Sequence, residues 1–170
     1  DAGLGSEKQG VKKWYDGFTF GGHTDIYNPW SIASFIGKKG KYSAYWSNTS
    51  GNGLANSLVQ KGSPGIKQIM EELLKGNSFE TMLDEQIIFS HLDGSASAVW
   101  SMLLAAGYLK VQSLRYVGEQ KRAVYTLALT NMEVRMLFED MVKGWFGGSI
   151  ESTYNDFIKA LLKNDVEAMN

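Results

Sequence analysis

Apolar side chains recur at helical spacing along much of this chain, and the clearest run lies just before its midpoint. Positions i, i+3, i+4, i+7 and i+8 of that run are all apolar, namely Ile66, Ile69, Met70, Leu73 and Leu74. This spacing places them on one face of an α-helix. We therefore predict an amphipathic helix there, with a shorter helix over residues 54–59 before it.

The N-terminal segment predicts a short helix followed by a hairpin. Ser6 has the chemistry of a helix cap, and we expect the helix that it opens to end at Tyr15. Glycines at three nearby positions then indicate turns, and they favour a hairpin that pairs residues 18–20 with residues 26–27.

The next predicted helix has a strong start signal. Asn28 is a good helix cap, and Pro29 occupies the first helical position, where the missing N–H costs nothing. We expect Gly40 to close this helix. Its predicted apolar face consists of Ile32, Phe35 and Ile36.

The second half of the chain predicts helix and strand in alternation. Residues 86–89 have the composition of a short strand, and residues 95–106 that of a helix closed by Gly107. Two strands follow, over residues 108–117 and 123–130. The second strand alternates apolar and polar positions, which indicates one buried face.

A long helix is predicted after the last strand. Thr130 and Glu133 have the spacing of a capping box, in which each side chain satisfies a free backbone N–H of the other. Glycines 147 and 148 would end the helix, and a last helix would begin near Ser149. The apolar stripe of the long helix consists of Val134, Leu137, Phe138, Met141, Val142, Trp145 and Phe146.

These elements predict a mainly α fold with a small β component, in the α+β class. We expect residues 1–77 to form a helical part with an N-terminal β-hairpin. Residues 78–148 have the helix, hairpin, helix order of a winged helix-turn-helix domain. Residues 149–170 would form a connecting helix toward a further domain, because the chain starts and stops like an excised region.

Composition narrows the function classes. The chain has 170 residues, 44% of them hydrophobic and 21% charged, which is typical of a globular protein. Its net charge of −1 does not indicate a polyanion partner. It has no cysteine, which excludes disulfides and thiolate metal sites and fits a reducing compartment. No apolar run approaches membrane-spanning length, so we expect a cytoplasmic protein with no membrane partner.

Three blocks of aromatic and apolar residues indicate a protein family more specifically than the overall composition does. They are WYDGF at residues 14–18, YNPWS at residues 27–31 and WSMLLAAGYLKV at residues 100–111. All three resemble parts of a prokaryotic AAA-ATPase-like family, in which the ATPase module is commonly fused to a PD-(D/E)XK nuclease-like domain. The resemblance implies an ATPase core upstream, which would use ATP and Mg²⁺, and a nuclease-like domain downstream. This segment would be a lid and coupling region between them.

Motifs that imitate catalytic sites lack the context that they need. Residues 17–24 resemble a phosphate-binding loop, but His23 stands where the lysine belongs and Pro29 delays the helix. The E-x-K sequence at residues 119–121 falls in a predicted turn, whereas a nuclease needs that pair on a strand beside an aspartate. His23 and His91 have no second ligand at helical spacing. We therefore expect no catalytic, cofactor or metal site in this segment.

DNA binding through this segment is not expected either. The helix over residues 95–106 would be the recognition helix, and it contains no Lys, Arg, Asn or Gln. The hairpin after it carries Arg115, Lys121 and Arg122 near its tip, which form a small basic patch. The alternative hypothesis is an independent winged-helix binding module, either a protein-interaction adaptor or a weak DNA binder.

Four polar residues are candidate contacts to the ATPase core. Asp16 lies inside the first aromatic block, where it either caps a turn through backbone N–H groups or contacts the core. Asn48, Thr49 and Asn52 belong to a polar run whose default role is turn chemistry and whose alternative is a contact near the nucleotide. Both contact roles rest on the resemblance. The aromatic residues around Asp16 are expected to form a packed core.

Overall fold

The computed structural model describes residues 3–20, 23–48, 52–83 and 95–146. The predicted strand over residues 86–89, the connecting helix from residue 149 onward, and Thr49 and His91 lie outside these ranges. The described part is an α+β fold of helices and two small antiparallel sheets.

The N-terminal part contains two helices and a hairpin. A 3₁₀ turn, Gly5–Glu7, leads directly into α1, Lys8–Tyr15. The predicted Ser6 cap is wrong, because the chain enters α1 through this turn and no side chain caps the helix. Strands β1, Phe18–Phe20, and β2, His23–Ile26, then pair antiparallel, with Phe18 opposite Ile26. The hairpin is as predicted, but its second strand begins at His23 and ends before Tyr27.

Helix α2, Pro29–Gly37, begins where the sequence predicts. The Asn28 Oδ1 atom accepts hydrogen bonds from the backbone N–H groups of Trp30 and Ser31. The buried face of α2 consists of Ser31 and Phe35, one turn apart, so Ile36 points elsewhere and is 46% exposed. The prediction for Ile36 is therefore wrong.

Two helices and a short strand form the centre of the chain. After a 3₁₀ turn, Tyr45–Asn48, come α3, Asn52–Gln60, and α4, Pro64–Lys75. The predicted apolar face of α4 is buried, except that Ile69 is only partly so. Strand β3, Phe79–Thr81, is absent from the sequence-based prediction.

The C-terminal half has the predicted order of helix, hairpin and helix. These elements are α5, Ala96–Ala105, β4, Leu109–Val117, β5, Arg122–Leu129, and α6, Met132–Phe146. The sheet order is β3-β5-β4, and all pairs are antiparallel. The strand β5 is therefore central and β4 lies at one edge.

Two apolar clusters hold these elements together. The main core takes residues from α3, α4, α5, β4, β5 and α6, so it crosses the predicted boundary between residues 77 and 78. The second, which we call the aromatic cluster, is built on Tyr15, Phe35 and Tyr45, with Trp14 and Tyr27 partly buried against it.

Candidate functional site: a buried seam around Glu133

Glu133 lies in the first turn of α6, and its side chain is fully buried. The predicted capping box is wrong. Instead, the Asn131 Oδ1 atom accepts a hydrogen bond from the Val134 backbone N–H at 3.0 Å and so caps α6. The Thr130 hydroxyl donates to the Gly107 carbonyl oxygen at 2.7 Å. Glu133 is thus free to face the N-terminal part of the chain.

The Glu133 carboxylate is held entirely by neutral donors. The Ser31 hydroxyl lies 2.9 Å from Oε1 and 2.8 Å from Oε2, and the Trp46 backbone N–H donates to Oε1 at 2.7 Å. The backbone of Tyr45 contributes a further hydrogen bond. Within the described ranges, none of the ion pairs includes Glu133.

Burial without a cationic partner has an electrostatic consequence. Removal of the carboxylate from water raises the pKa of Glu133 above its ordinary value, while the hydrogen bonds from Trp46, Ser31 and Tyr45 act in the opposite direction. An ionised carboxylate in this position therefore carries a desolvation cost that the donors offset only in part.

Gly17 and Thr130 make a second close contact across the same region. Gly17 has a φ of +119°, and a Cβ atom there would lie 2.4 Å from the Thr130 carbonyl oxygen. Only glycine fits both the backbone conformation and the space. We call Gly17, Ser31, Trp46, Thr130 and Glu133 the Glu133 seam, because they join the aromatic cluster to α6.

Trp46 and Tyr108 extend the seam into the main core. Their rings stack with centroids 4.9 Å apart. The Tyr108 hydroxyl donates to the Asn52 Oδ1 atom at 2.7 Å, and the Asn52 Nδ2 atom donates to the Trp46 carbonyl oxygen at 3.2 Å. The three residues close a ring of contacts, so the 3₁₀ turn is fixed to both α3 and the start of β4.

The aromatic cluster reaches the seam through hydroxyl groups as well as rings. The Tyr15 hydroxyl donates to the Ser43 carbonyl oxygen at 3.1 Å and accepts from the Ser43 N–H at 3.2 Å. Burial raises the pKa of Tyr15 to about 12. The Tyr45 hydroxyl donates to the Lys41 carbonyl oxygen. The loop before the 3₁₀ turn is therefore held by directional bonds rather than by secondary structure.

Asp16, the first of the predicted contact residues, lies beside the seam. Its carboxylate is almost fully buried, and Oδ1 accepts a hydrogen bond from the Gly17 N–H at 2.6 Å. Lys12 Nζ lies 3.8 Å from Asp16 Oδ2 and 2.9 Å from Asp25 Oδ1, which keeps the pKa of Asp25 below its ordinary value. This is the local, turn-capping use that the sequence offers as one of two alternatives for Asp16.

The other predicted site residues are dispersed. Asn48 ends the 3₁₀ turn, and Asn52 has both ends of its amide engaged inside the protein. At the hairpin, Arg115 makes two hydrogen bonds to the Glu80 carboxylate, and Arg122 bonds the neutral side chain of Gln120. Lys121 lies in the turn with a φ of +47°. The three basic residues belong to one hairpin, and the side chains of Arg115 and Arg122 bond different partners.

The motifs rejected on sequence grounds adopt ordinary local structure. In the sequence that resembles a phosphate-binding loop, the described residues are Gly17, which precedes the hairpin, and residues of strands β1 and β2. Helix α2 begins only at Pro29. The E-x-K sequence occupies the turn between β4 and β5. Among the residues that the structure describes, no three His, Cys, Asp or Glu side chains gather as a metal site would require. None of the described helices combines the length and apolarity needed to cross a bilayer.

Sequence reasoning missed the seam, although two local signals point to it. Glu133 lies one turn before Leu137, on the apolar stripe of α6, and Ser31 lies one turn before Phe35 on the buried face of α2. A polar residue at a core position of a helix indicates a buried hydrogen-bond partner elsewhere. Searches against protein-family models, curated proteins and solved structures found no match to this chain.

Proposed function

We propose that this chain is a non-catalytic lid and coupling region of an AAA-ATPase-like protein. It would lie between an upstream P-loop core, which binds ATP and Mg²⁺, and a downstream nuclease-like domain in the cytoplasm. The blocks WYDGF, YNPWS and WSMLLAAGYLKV support this family assignment. In this proposal the region follows the nucleotide state by moving as one rigid body against the ATPase core.

The Glu133 seam is the observation that carries the proposal. Ser31 in YNPWS and Gly17 in WYDGF both contact the start of α6, and Trp46 links the same place to Tyr108 in the third block. The three blocks of the resemblance therefore meet at one buried place. A displacement of the aromatic cluster would be transmitted to the hairpin and α6 through contacts that cannot slide without exposing a buried carboxylate.

A winged helix-turn-helix-like domain within this region is supported by the order of elements. The hairpin β4–β5 follows α5 directly and precedes α6, and β3 pairs with the inner strand of the hairpin. The helix that would enter a DNA groove is instead largely packed inside the protein, and it has no basic side chain. Its buried residues are Ala98, Val99, Trp100, Ser101 and Leu103. We therefore propose a structural rather than a DNA-reading role for it.

Hydrogen exchange on the intact protein tests the coupling role. The protein would be compared with and without Mg²⁺–ATP, and exchange would be followed in α2, α6 and the hairpin. We expect nucleotide to change protection at the surface of the aromatic cluster and at α6 together, because the seam joins them. An intact protein in which nucleotide changes neither would contradict the proposal.

An independent binding module is the second candidate, and the exposed strand β4 favours it. The coding sequence upstream of Asp1 separates the two candidates. A G-x-x-x-x-G-K-[ST] motif in a strand-loop-helix context supports the coupling role. Without that motif, salt-dependent binding of duplex DNA by this chain would indicate a weak DNA binder, and insensitivity to DNA would indicate a protein adaptor.

A further inference from the structure

Strand β4 lies at an edge of the sheet in the part of the chain that the structure describes. It pairs with β5, and within the described residues no strand lies on its other side. A bulge interrupts the pairing between Val111 and Ser113, and beyond it residues 113–117 pair in unbroken register with β5. No backbone hydrogen bond outside the ladder involves residues 113–117 in the described part of the chain. Among the residues that the structure describes, nothing pairs with the outward-pointing N–H and C=O groups of this segment, which are the groups that an added strand would use.

Apolar side chains follow this edge. Val111 is 44% exposed, Leu114 45% and Tyr116 65%. Leu114 and Tyr116 are two positions apart on a strand, so they project from the same face of the sheet. Edge strands are usually protected by charges at such positions, because an exposed apolar edge invites pairing with another chain. Here the charged residue between them, Arg115, projects from the opposite face of the sheet and pairs with Glu80, and the other charges lie at the two ends of the stripe.

The hairpin has an excess of basic residues, whereas the chain as a whole does not. Between Leu109 and Leu129 there are four basic residues and one acidic residue, whereas the whole chain has a net charge of −1. Glu80 neutralises Arg115. Lys110 and Lys121 form no ion pair within the described ranges, and Arg122 bonds only a neutral amide there. Cations without acidic partners therefore flank the apolar stripe at both ends.

We propose that residues 113–117 of β4 are a docking edge for an extended acidic peptide. The peptide adds to the sheet as a further strand beside β4 and sets apolar side chains against Leu114 and Tyr116. Its carboxylates lie near Lys110 at one end and near Lys121 and Arg122 at the other. This proposal does not depend on the ATPase resemblance, because it is argued from the strand edge, the exposed apolar side chains and the charges alone.

The charged and apolar side chains along β4 together favour an acidic peptide over other binding partners. A second copy of the chain would bring the same cations to the same edge, where like charges repel. A DNA duplex would satisfy the cations but would leave the row formed by Val111, Leu114 and Tyr116 uncovered. An acidic strand with alternating apolar side chains matches the main-chain, apolar and charged features of the edge at once.

Fluorescence anisotropy with a synthetic peptide tests the proposal on the full 170-residue chain. The probe is a fluorescein-labelled peptide as long as β4 that alternates Asp or Glu with Val or Ile. We expect saturable binding that weakens as salt is raised, since the flanking charges are exposed. Hydrogen exchange should show new protection at residues 113–117. The same peptide with a central proline should bind poorly, because proline removes a ladder N–H.

Matched variants locate the contact. Leu114→Glu should weaken binding about tenfold, because it removes an apolar contact and repels the acidic peptide. Tyr116→Glu, at the more exposed position, should act in the same way and provides a second variant if Leu114→Glu unfolds. The control is Ile36→Glu on α2, which introduces the same charge at a side chain that is 46% exposed. It should leave affinity unchanged.

Four results of the peptide experiment would overturn the proposal, and so would one result with DNA. They are no binding at any concentration at which the peptide stays soluble, equal losses in Leu114→Glu and Ile36→Glu, protection that falls elsewhere than β4, and displacement of the peptide by self-association of the chain through this edge. Preferential binding of duplex DNA at the hairpin would overturn it as well. The measurement uses neither nucleotide nor the ATPase core, so its failure would leave the coupling proposal to its own test.

Discussion

The main core and the aromatic cluster are stabilised in different ways. The main core buries aliphatic faces of regular helices and strands around Trp100, and its largest members have almost no exposure. The aromatic cluster has only three buried members, and its tyrosines also bond backbone groups through their hydroxyls. A cluster this small does not bury enough apolar surface to fold alone. We therefore expect it to depend on the Glu133 seam to share the stability of the main core.

The largest effect is expected from the main core itself. Leu127 is fully buried in the central strand β5, so Leu127→Ala should lower the free energy of unfolding by about 4 kcal/mol. Urea unfolding followed by circular dichroism measures this. Leu114→Ala removes the same atoms from an exposed site on the neighbouring strand and should change stability by about 0.5 kcal/mol or less. Similar losses in the two variants would contradict the assignment of the core.

Substitutions in the Glu133 seam should have the next largest effect on stability. Glu133→Ala leaves the Ser31 hydroxyl and the Trp46 N–H buried without acceptors, which should cost about 3 kcal/mol. Near-ultraviolet dichroism of the tyrosines should then be lost at lower urea concentration than the far-ultraviolet signal. Glu133→Gln keeps one carbonyl acceptor and should cost clearly less. Coincident transitions in Glu133→Ala would show that the aromatic cluster does not need the seam.

Gly17 tests the close approach to Thr130. Gly17→Ala meets both a φ of +119° and a carbonyl oxygen 2.4 Å from the new Cβ, and should lower stability by about 2 kcal/mol. Gly118→Ala is the control, since Gly118 has a φ of +69° and a Cβ added there would meet no atom within 4 Å. Thermal unfolding of both variants separates backbone strain from the steric contact. An equal loss of stability in both variants would show that the contact with Thr130 adds nothing to the cost of the substitution.

The pH dependence of stability isolates the Glu133 carboxyl. Its pKa in the folded state is raised by burial, so the protonated form favours folding at low pH, and this contribution is lost as pH rises through the folded-state pKa. Glutamine imitates the protonated form at every pH. The stability of wild type relative to Glu133→Gln should therefore fall as pH rises from the ordinary glutamate pKa of 4.5 through the raised folded-state pKa. If the stability of wild type relative to Glu133→Gln rose over this range, burial would not be disfavouring the charged form of the Glu133 carboxyl.

The exposed ion pair between the hairpin and β3 should contribute least. Arg115 and Glu80 form an ion pair in which both side chains are about half exposed, and water and salt screen such pairs. Arg115→Ala should leave the urea midpoint unchanged within error, and Glu80→Gln should do the same. A marked loss in either variant would show that this ion pair stabilises the fold more than its exposure indicates.

The same contrast explains what the sequence predicts and what it misses. Helix α4 and the hairpin β4–β5 are recognisable because their patterns repeat within a short window. Strand β3 is missed because it has three residues and is defined by pairing with β5, far along the chain. The seam is missed because Glu133 and Ser31 are 102 positions apart, and a local pattern interprets Glu133 as the partner of Thr130. Rules based on neighbouring residues cannot predict that a side chain will bond a partner that is distant in the sequence.

Native-state hydrogen exchange on wild type and Glu133→Ala tests most directly whether the seam joins the two regions. In wild type, slow amides of α2 should exchange through the same global opening as those of α6 and β5. In Glu133→Ala, amides of α2 should exchange by a separate opening of lower free energy, while β5 keeps the global one. If α2 already opens independently in wild type, or stays linked to β5 in Glu133→Ala, the seam does not couple the aromatic cluster to the main core.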